Sequence, residues 1–189
     1  MKVTLVRHTS LAIAPNICYG QSDVDVSHQF EAEHARIAEK LSADSFDAVY
    51  ASPLQRCHKL ALKIAKHQPV NLDTRLKELH FGDWEMQAWE DLPREVFDDW
   101  AQNYAHRSPP NGETFAALQE RGVDFLRLKA SEHINQHILV ITHGGMIRAL
   151  IAHVLNMELK GLFRIGIDYG SLTQLDFSHT IPKVNFINR

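Results

Sequence analysis

The sequence predicts an α/β fold: a three-layer α/β/α sandwich with a mostly parallel central sheet and a small helical cap insertion at about residues 80–112. Two observations carry that expectation. Short β-rich apolar runs at 2–6, 46–51 and 137–142 alternate with stretches of helical spacing, and parallel neighbours need long crossovers of the kind helices supply. The chain length of 189 residues, with 44% hydrophobic and 23% charged side chains, fits one globular domain, taken as 1–189.

Each element follows from its residues. The run KVTLV at 2–6 is continuous and β-rich, as in a strand buried on both faces. From His28 to Leu41, the apolar residues Phe30, Ala35, Ile37, Ala38 and Leu41 follow helical spacing, with Ser27 as N-cap. Residues 46–51 form a second strand, and Ser52 with Pro53 supplies the cap and first-turn proline of a helix through about Lys66. A β-like piece, PVNLDTRL, precedes the irregular stretch HFGDWEMQAWEDLP, where short helices are expected. Residues 94–106 read as helix, 108–112 (SPPNG) as loop, and Glu113 to about Ala130 as a helix with Phe115, Leu118, Gly122, Phe125 and Leu126 on one face. HILVIT at 137–142 is the strongest buried strand, and HGG opens the helix MIRALIAHVL. Runs near 162–167, 171–177 and 183–187 read as the last strands.

Composition narrows the partners. Twenty Lys and Arg against 23 Asp and Glu give a net charge of -3, which argues against nucleic acid or a membrane surface as partner. No run approaches the roughly 20 apolar residues of a membrane helix, and no export signal is visible. Cys18 and Cys57 lack CxxC spacing, which suits a reducing cytoplasm as the expected location.

In such sheets, ligands gather beyond the carboxyl ends of the strands. Arg7 with His8, then Arg56, then His143 with Gly144 and Gly145 all fall at that end. A charged residue at one strand end is more often simply solvated. Three coinciding clusters of two arginines and two histidines point to a phosphate dianion, matched by guanidinium forks and helix-terminal N–H groups. Other phosphate chemistries fail on the letters: there is no GxxxxGK[ST], and neither Cys57 nor Cys18 is followed six positions on by Arg. Asp23, Val24 and Asp25 follow GQS rather than an apolar strand, so they read as a polar turn. His133 and His137 lack an obvious third ligand and read as surface histidines, so neither metal nor cofactor is expected. Histidine remains as nucleophile, with flanking arginines disfavouring its protonation. Glu78, between a β-like segment and a Gly turn, is placed to protonate a leaving alkoxide.

The motifs LVRHTS, CYGQSDVDV, YASPLQRC, KELHFGDWE, PNGETF and LVITHGGMIRAL span nearly the whole chain. In their order and approximate spacing, the sequence resembles the histidine phosphatase superfamily, of phosphoglycerate-mutase-like fold. It is most similar to the branch that removes phosphate from α-ribazole 5'-phosphate in cobalamin assembly. The resemblance implies that His8 becomes phosphorylated, that Arg7, Arg56 and His143 clamp the phosphoryl group, and that Glu78 is general acid and later base. It implies substrate contacts from the turn at Gly20 and Gln21, and Gly144 opens the helix beside the clamp. It implies a small phosphorylated substrate and no metal, and leaves the oligomeric state open. Three positions depart from the family: Thr9 stands for a usual Gly, Met86 for the Gly of FGxWEG, and Asn16 lies eight rather than about six residues past the nucleophile. A β-branched Thr9 is expected to avoid positive φ.

Rival readings are a sugar-phosphate or nucleotide phosphatase, a mutase, which needs a lid that keeps water out, and a binding module without turnover. The retained Glu78 argues against the last, because phosphate binding alone needs no acid. Trp84, Trp89 and Trp100 are expected to pack the insertion, with Trp84 as a candidate stacking surface for a base-like substrate.

Overall fold

The computed structural model describes residues 1–189. Its strands are β1 (Lys2–Arg7), β2 (Ala48–Ala51), β3 (Val70–Leu72), β4 (His137–Thr142), β5 (Leu172–Asp176) and β6 (Lys183–Phe186). Its helices are α1 (Phe30–Lys40), α2 (Gln55–Ala65), α3 (Arg94–Asn103), α4 (Phe115–Glu132) and α5 (Gly144–Val154). One sheet results, in the order β3-β2-β4-β1-β5-β6. The first four strands in that order run parallel, and β5 pairs antiparallel with both of its neighbours.

Period-two alternation divides the apolar residues of the central strands between two cores. Val3, Leu5, Ile138 and Val140 face α4 and α5 with Leu118, Phe125, Met146 and Leu150. Val6, Val49, Ala51, Leu139 and Ile141 face α1 and α2 with Ile37, Leu41, Leu60 and Ala61. Both faces are thus covered, giving the predicted three layers. No helix is long and apolar enough to cross a membrane.

Several local expectations are corrected. The run at 162–167 is not a strand, because Leu159–Arg164 forms 3₁₀ turns in which only Leu162 is buried. One buried residue in six cannot supply the alternation of a half-buried strand. Ser27 lies outside α1, where its hydroxyl accepts the Gln29 N–H at 3.1 Å. Ser52 does not cap α2 either. The first N–H of that helix, on Gln55, is accepted by Asp23 Oδ1 at 2.7 Å, a partner 32 residues away. Asp23, Val24 and Asp25, expected as a polar turn, instead lie in irregular chain after the bend at 21–22, with Asp23 serving α2. Helix α4 begins two residues later than expected, with Thr114 as its cap: Thr114 Oγ1 accepts the Ala117 N–H at 3.1 Å. Helix α3 ends at Asn103, three residues short of the expected 106.

His133 and His137 are half-buried structural residues rather than free surface ones. His133 Nε2 lies 2.8 Å from the Tyr50 hydroxyl, and His137 Nε2 lies 2.8 Å from Thr4 Oγ1. In the insertion, Trp84 is 3% exposed and packs edge-on against Trp100, with centroids 5.3 Å apart, and beside Phe97. That burial removes it as a stacking surface.

Candidate active site

The register of three adjacent strands builds the floor of the site. Ala51 pairs with Ile141, and Arg7 pairs with Thr142, so the residues that follow emerge side by side. The His8 N–H donates to the Thr142 carbonyl at 3.1 Å and the Ser52 N–H to the Ile141 carbonyl at 3.0 Å. His8 and His143 are both buried, with ring centroids 5.1 Å apart at 64°.

Hydrogen bonds fix the tautomer of each ring. His8 Nδ1 lies 2.8 Å from the Thr9 carbonyl; a carbonyl only accepts, so Nδ1 carries the hydrogen and Nε2 keeps its lone pair. Arg56 Nε donates to His143 Nδ1 at 3.3 Å. The His143 hydrogen is then on Nε2, which donates to Ser52 Oγ at 2.8 Å. Burial first, then the charges of Arg56 and Arg7, hold His8 well below the ordinary imidazole range. Burial, Arg56 and His8 do the same to His143. Both rings are neutral at pH 7.

The arginines differ in how fully they are engaged. Arg56 is fully buried and donates from Nη1 to the Ser22 carbonyl at 2.9 Å and from Nη2 to the Gly20 carbonyl at 2.5 Å. With Nε on His143, three of its five N–H groups are used and two remain. Arg7 donates from Nη1 to the Ile167 carbonyl at 2.6 Å, while its buried Nε has no partner. A Cβ on Gly144 would lie 3.3 Å from that Nε, so the small residue opening α5 lets the guanidinium come close. A buried donor without an acceptor is rare, and an anionic oxygen would complete it.

Glu78 lies against the start of α5. Its carboxylate accepts the Leu79 N–H on Oε1 and the Gly145 N–H on Oε2, both at 2.9 Å. A Cβ on Gly145 would stand 2.3 Å from Glu78 Oε1, so only glycine admits the acid there. Arg121, which the sequence reading missed, anchors this segment by donating to the carbonyls of Arg75 and Lys77 at 2.6 Å and of Glu78 at 2.9 Å. It also pairs with Glu113 at 2.7 Å. The signal available was Glu113 within PNGETF, with a cation eight positions on.

All eight candidate residues therefore come together: Arg7, His8, Arg56 and His143 at the floor, Glu78 against the start of α5, and Gly20, Gln21 and Gly144 in contact with Arg56, Glu78 and Arg7 in turn. Gln21 Nε2 donates to the Glu78 carbonyl at 3.2 Å. Asn16 goes elsewhere, donating from its exposed amide to Glu90 Oε1 at 2.8 Å. Thr9 avoids positive φ, as expected, whereas Met86 adopts φ 68°.

Above the floor, Tyr169 covers the Arg7 guanidinium at 3.8 Å, and the Tyr19 ring centroid lies 5.5 Å from that of Arg56. The two tyrosine hydroxyls lie 2.6 Å apart. They help to line a cavity of roughly 340 Å³ whose other walls include Leu11, Ile13, Ile17, Phe81 and Trp89. Glu78 is its only charged wall residue. A larger hollow of roughly 790 Å³, between residues 102–107 and 157–160, gathers none of the candidate residues. No three His, Cys, Asp or Glu side chains cluster in a way that could hold a metal ion.

A site of this kind, with neutral imidazoles under cationic forks at the carboxyl edge of a parallel sheet, is suited to phosphoryl transfer. The chain belongs to the histidine phosphatase superfamily (branch 1), whose family profile matches residues 3–189. It is a phosphatase. It is 29% identical over 195 residues to the adenosylcobalamin/alpha-ribazole phosphatase of Escherichia coli, covering 100% of this chain and 96% of that one. It is also 29% identical over 194 residues to phosphoserine phosphatase 1 of Hydrogenobacter thermophilus, covering 98% and 92% of the two chains. The crystal structure of the alpha-ribazole phosphatase from Shigella flexneri superposes with a TM-score of 0.90 at 27% identity, covering 100% of this chain and 96% of that one.

Proposed function

We propose that the chain hydrolyses phosphate monoesters through a phosphohistidine at His8 Nε2, and that its alcohol is α-ribazole. The observation that carries the chemistry is the fixed tautomer of His8: the Thr9 carbonyl holds the hydrogen on Nδ1, leaving a neutral, buried Nε2 lone pair beside two guanidinium groups. The orphan Nε of Arg7, the two spare N–H groups of Arg56 and the N-terminal N–H of Gly144 bind the phosphoryl oxygens. Neutral His143 orients Arg56 and lies beside the same group. Gly20 and Gln21 serve by holding Arg56 and Glu78 in place.

In the first step, Nε2 forms a bond to phosphorus while the P–O bond to the alcohol breaks, and the leaving oxygen takes the proton of the Glu78 carboxyl. In the second, the Glu78 carboxylate takes a proton from water, the water oxygen bonds to phosphorus, and the N–P pair returns to His8. Both steps balance without a metal or cofactor. Positioning and charge stabilisation supply most of the rate in such transfers.

The mouth favours α-ribazole 5'-phosphate as substrate. Its apolar and aromatic walls suit an uncharged aromatic base, and they include no cation to meet a carboxylate such as that of phosphoserine. The test is a substrate panel with chelator present, together with quenched turnover and mass-spectrometric mapping of phosphate. The expected result is a preference for α-ribazole 5'-phosphate over phosphoserine, 3-phosphoglycerate and glucose 6-phosphate, with phosphate trapped on His8. Product formation with His8 unmodified, or activity lost to the chelator, overturns the mechanism, and a preference for phosphoserine overturns the substrate.

A further inference from the structure

We infer that Glu85 is the positioning residue of the phosphate clamp: it fixes the turn at 20–22, whose carbonyls aim the Arg56 guanidinium. The inference rests on the reading of Arg56 as a phosphoryl ligand given above. The side chain of Glu85 is 9% exposed and has no Lys or Arg partner; the Nε2 of His80 lies 4.0 Å away. Its charge is met instead by backbone and hydroxyl donors. Oε1 accepts the N–H groups of Gln21 at 2.9 Å and Phe81 at 3.0 Å. Oε2 accepts the Ser22 N–H at 2.5 Å and the Ser22 hydroxyl. Burial pushes this carboxyl upward, but the bonds from Ser22, Gln21 and Phe81 outweigh it and hold the group below its ordinary range.

The N–H groups of the turn face Glu85, and its carbonyls face Arg56. Gly20 and Ser22 accept from Nη2 and Nη1 of the guanidinium, and Arg56 Nε then reaches His143. The turn is pressed so closely on the segment after Glu78 that a Cβ on Gly20 would lie 2.0 Å from the Leu79 carbonyl. One carboxylate thus joins two parts of the site, holding Phe81, three residues past the acid, and the turn that directs the clamp. Charge-assisted bonds to three N–H groups are strong, and a fully buried guanidinium held by two fixed carbonyls keeps its spare donors pointed in one direction. Releasing those carbonyls lets the donors shift, and a displacement of about 1 Å in a positioning group costs about 100-fold in rate.

A double-mutant cycle tests this, with steady-state hydrolysis of p-nitrophenyl phosphate, competitive inhibition by inorganic phosphate and thermal melting recorded for each variant. Glu85→Gln is expected to lower kcat/KM by about 10- to 100-fold and to weaken phosphate inhibition by a comparable factor. In the Glu85→Gln, Arg56→Ala double variant, kcat/KM should stay within about threefold of Arg56→Ala alone, because both changes disable the same clamp. Ser22→Ala removes only the hydroxyl from Glu85 and is expected to act in the same direction by about threefold. If the effects of Glu85→Gln and Arg56→Ala multiply, or if Glu85→Gln leaves phosphate inhibition unchanged, the inference is overturned. Should Glu85→Gln fail to fold, Glu85→Asp, which keeps the charge but is one methylene too short to span Gln21, Phe81 and Ser22, replaces it in the cycle with Arg56→Ala and is read by the same criterion. Near wild-type turnover by Arg56→Ala alone is a separate result, which sinks the reading of Arg56 itself.

Discussion

At the floor of the pocket, His8, Ser52 and His143 follow directly on strand ends, and Arg56 sits in the first turn of α2. At the mouth, Leu11, Ile17, Tyr19, Phe81, Trp89 and Tyr169 all lie outside the α-helices and outside β1–β6. The floor is polar, buried and hydrogen-bonded almost throughout, with the Arg7 Nε as an unused donor. The mouth is apolar and open to solvent, and its Tyr19–Tyr169 contact joins two separate loops. A rigid scaffold can hold reacting groups within the small tolerance that chemistry needs, whereas loops can vary without disturbing it. On the mechanism proposed above, the floor is the part that acts on the phosphate ester, and the mouth is the part that selects its alcohol.

The largest way to break that contrast is His8→Ala, expected to lower kcat by about 10⁴-fold on every substrate alike. A loss confined to one substrate in the kinetic panel would mean that His8 belongs to selection rather than chemistry. Glu78→Gln is next, at about 10²- to 10³-fold in kcat. That loss should shrink for p-nitrophenyl phosphate, whose leaving group needs little protonation, so equal losses for activated and alkyl esters would remove the acid role. Trp89→Ala probes the mouth alone. It should raise KM for α-ribazole 5'-phosphate about tenfold and leave glucose 6-phosphate unchanged.

The contrast also has a pH signature in stability. His8 and His143 are buried with folded pKa values below the ordinary 6.5, so the unfolded chain binds protons that the native rings refuse. Stability is therefore full above about pH 7 and falls as pH drops through the ordinary histidine range. Urea melts across that range should show the fall for the wild type and a smaller one for His143→Gln. The smallest effect is expected at Met86, which does not line the cavity. Met86 is 55% exposed with φ 68°, a backbone conformation that costs an L-residue about 1 kcal/mol. Met86→Gly should leave stability unchanged or raise it by up to about 1 kcal/mol, read by chemical denaturation.

Much of the floor was legible because its residues announce themselves locally. HILVIT is an unbroken apolar run that ends at His143, and KVTLV ends at Arg7 and His8. Strand ends in a parallel sheet must meet at one edge, so these motifs could be brought together without coordinates. The parts that were missed act over distance. Asp23 caps α2 from 32 residues away. Ser52, read as a helix cap, instead receives the His143 Nε2 hydrogen. Arg121 and Glu85 hold their targets through backbone carbonyls and N–H groups, which every residue possesses and no motif displays. Trp84 and Trp89 have the same side chain in the same insertion, yet one is buried and the other lines the mouth.

Local alternation, apolar run length and the residues that terminate each run depend on near neighbours, so the chain by itself determined the layers, the parallel core of the sheet and, Ser52 apart, the identity of the floor residues. Tertiary packing alone decided the tautomers of the two imidazoles, the freedom of Arg7 Nε, the anchoring of Arg56 and the apolar character of the mouth. Each of these depends on which atoms of distant segments come within hydrogen-bonding or van der Waals range, and that is fixed only when the whole chain closes on itself.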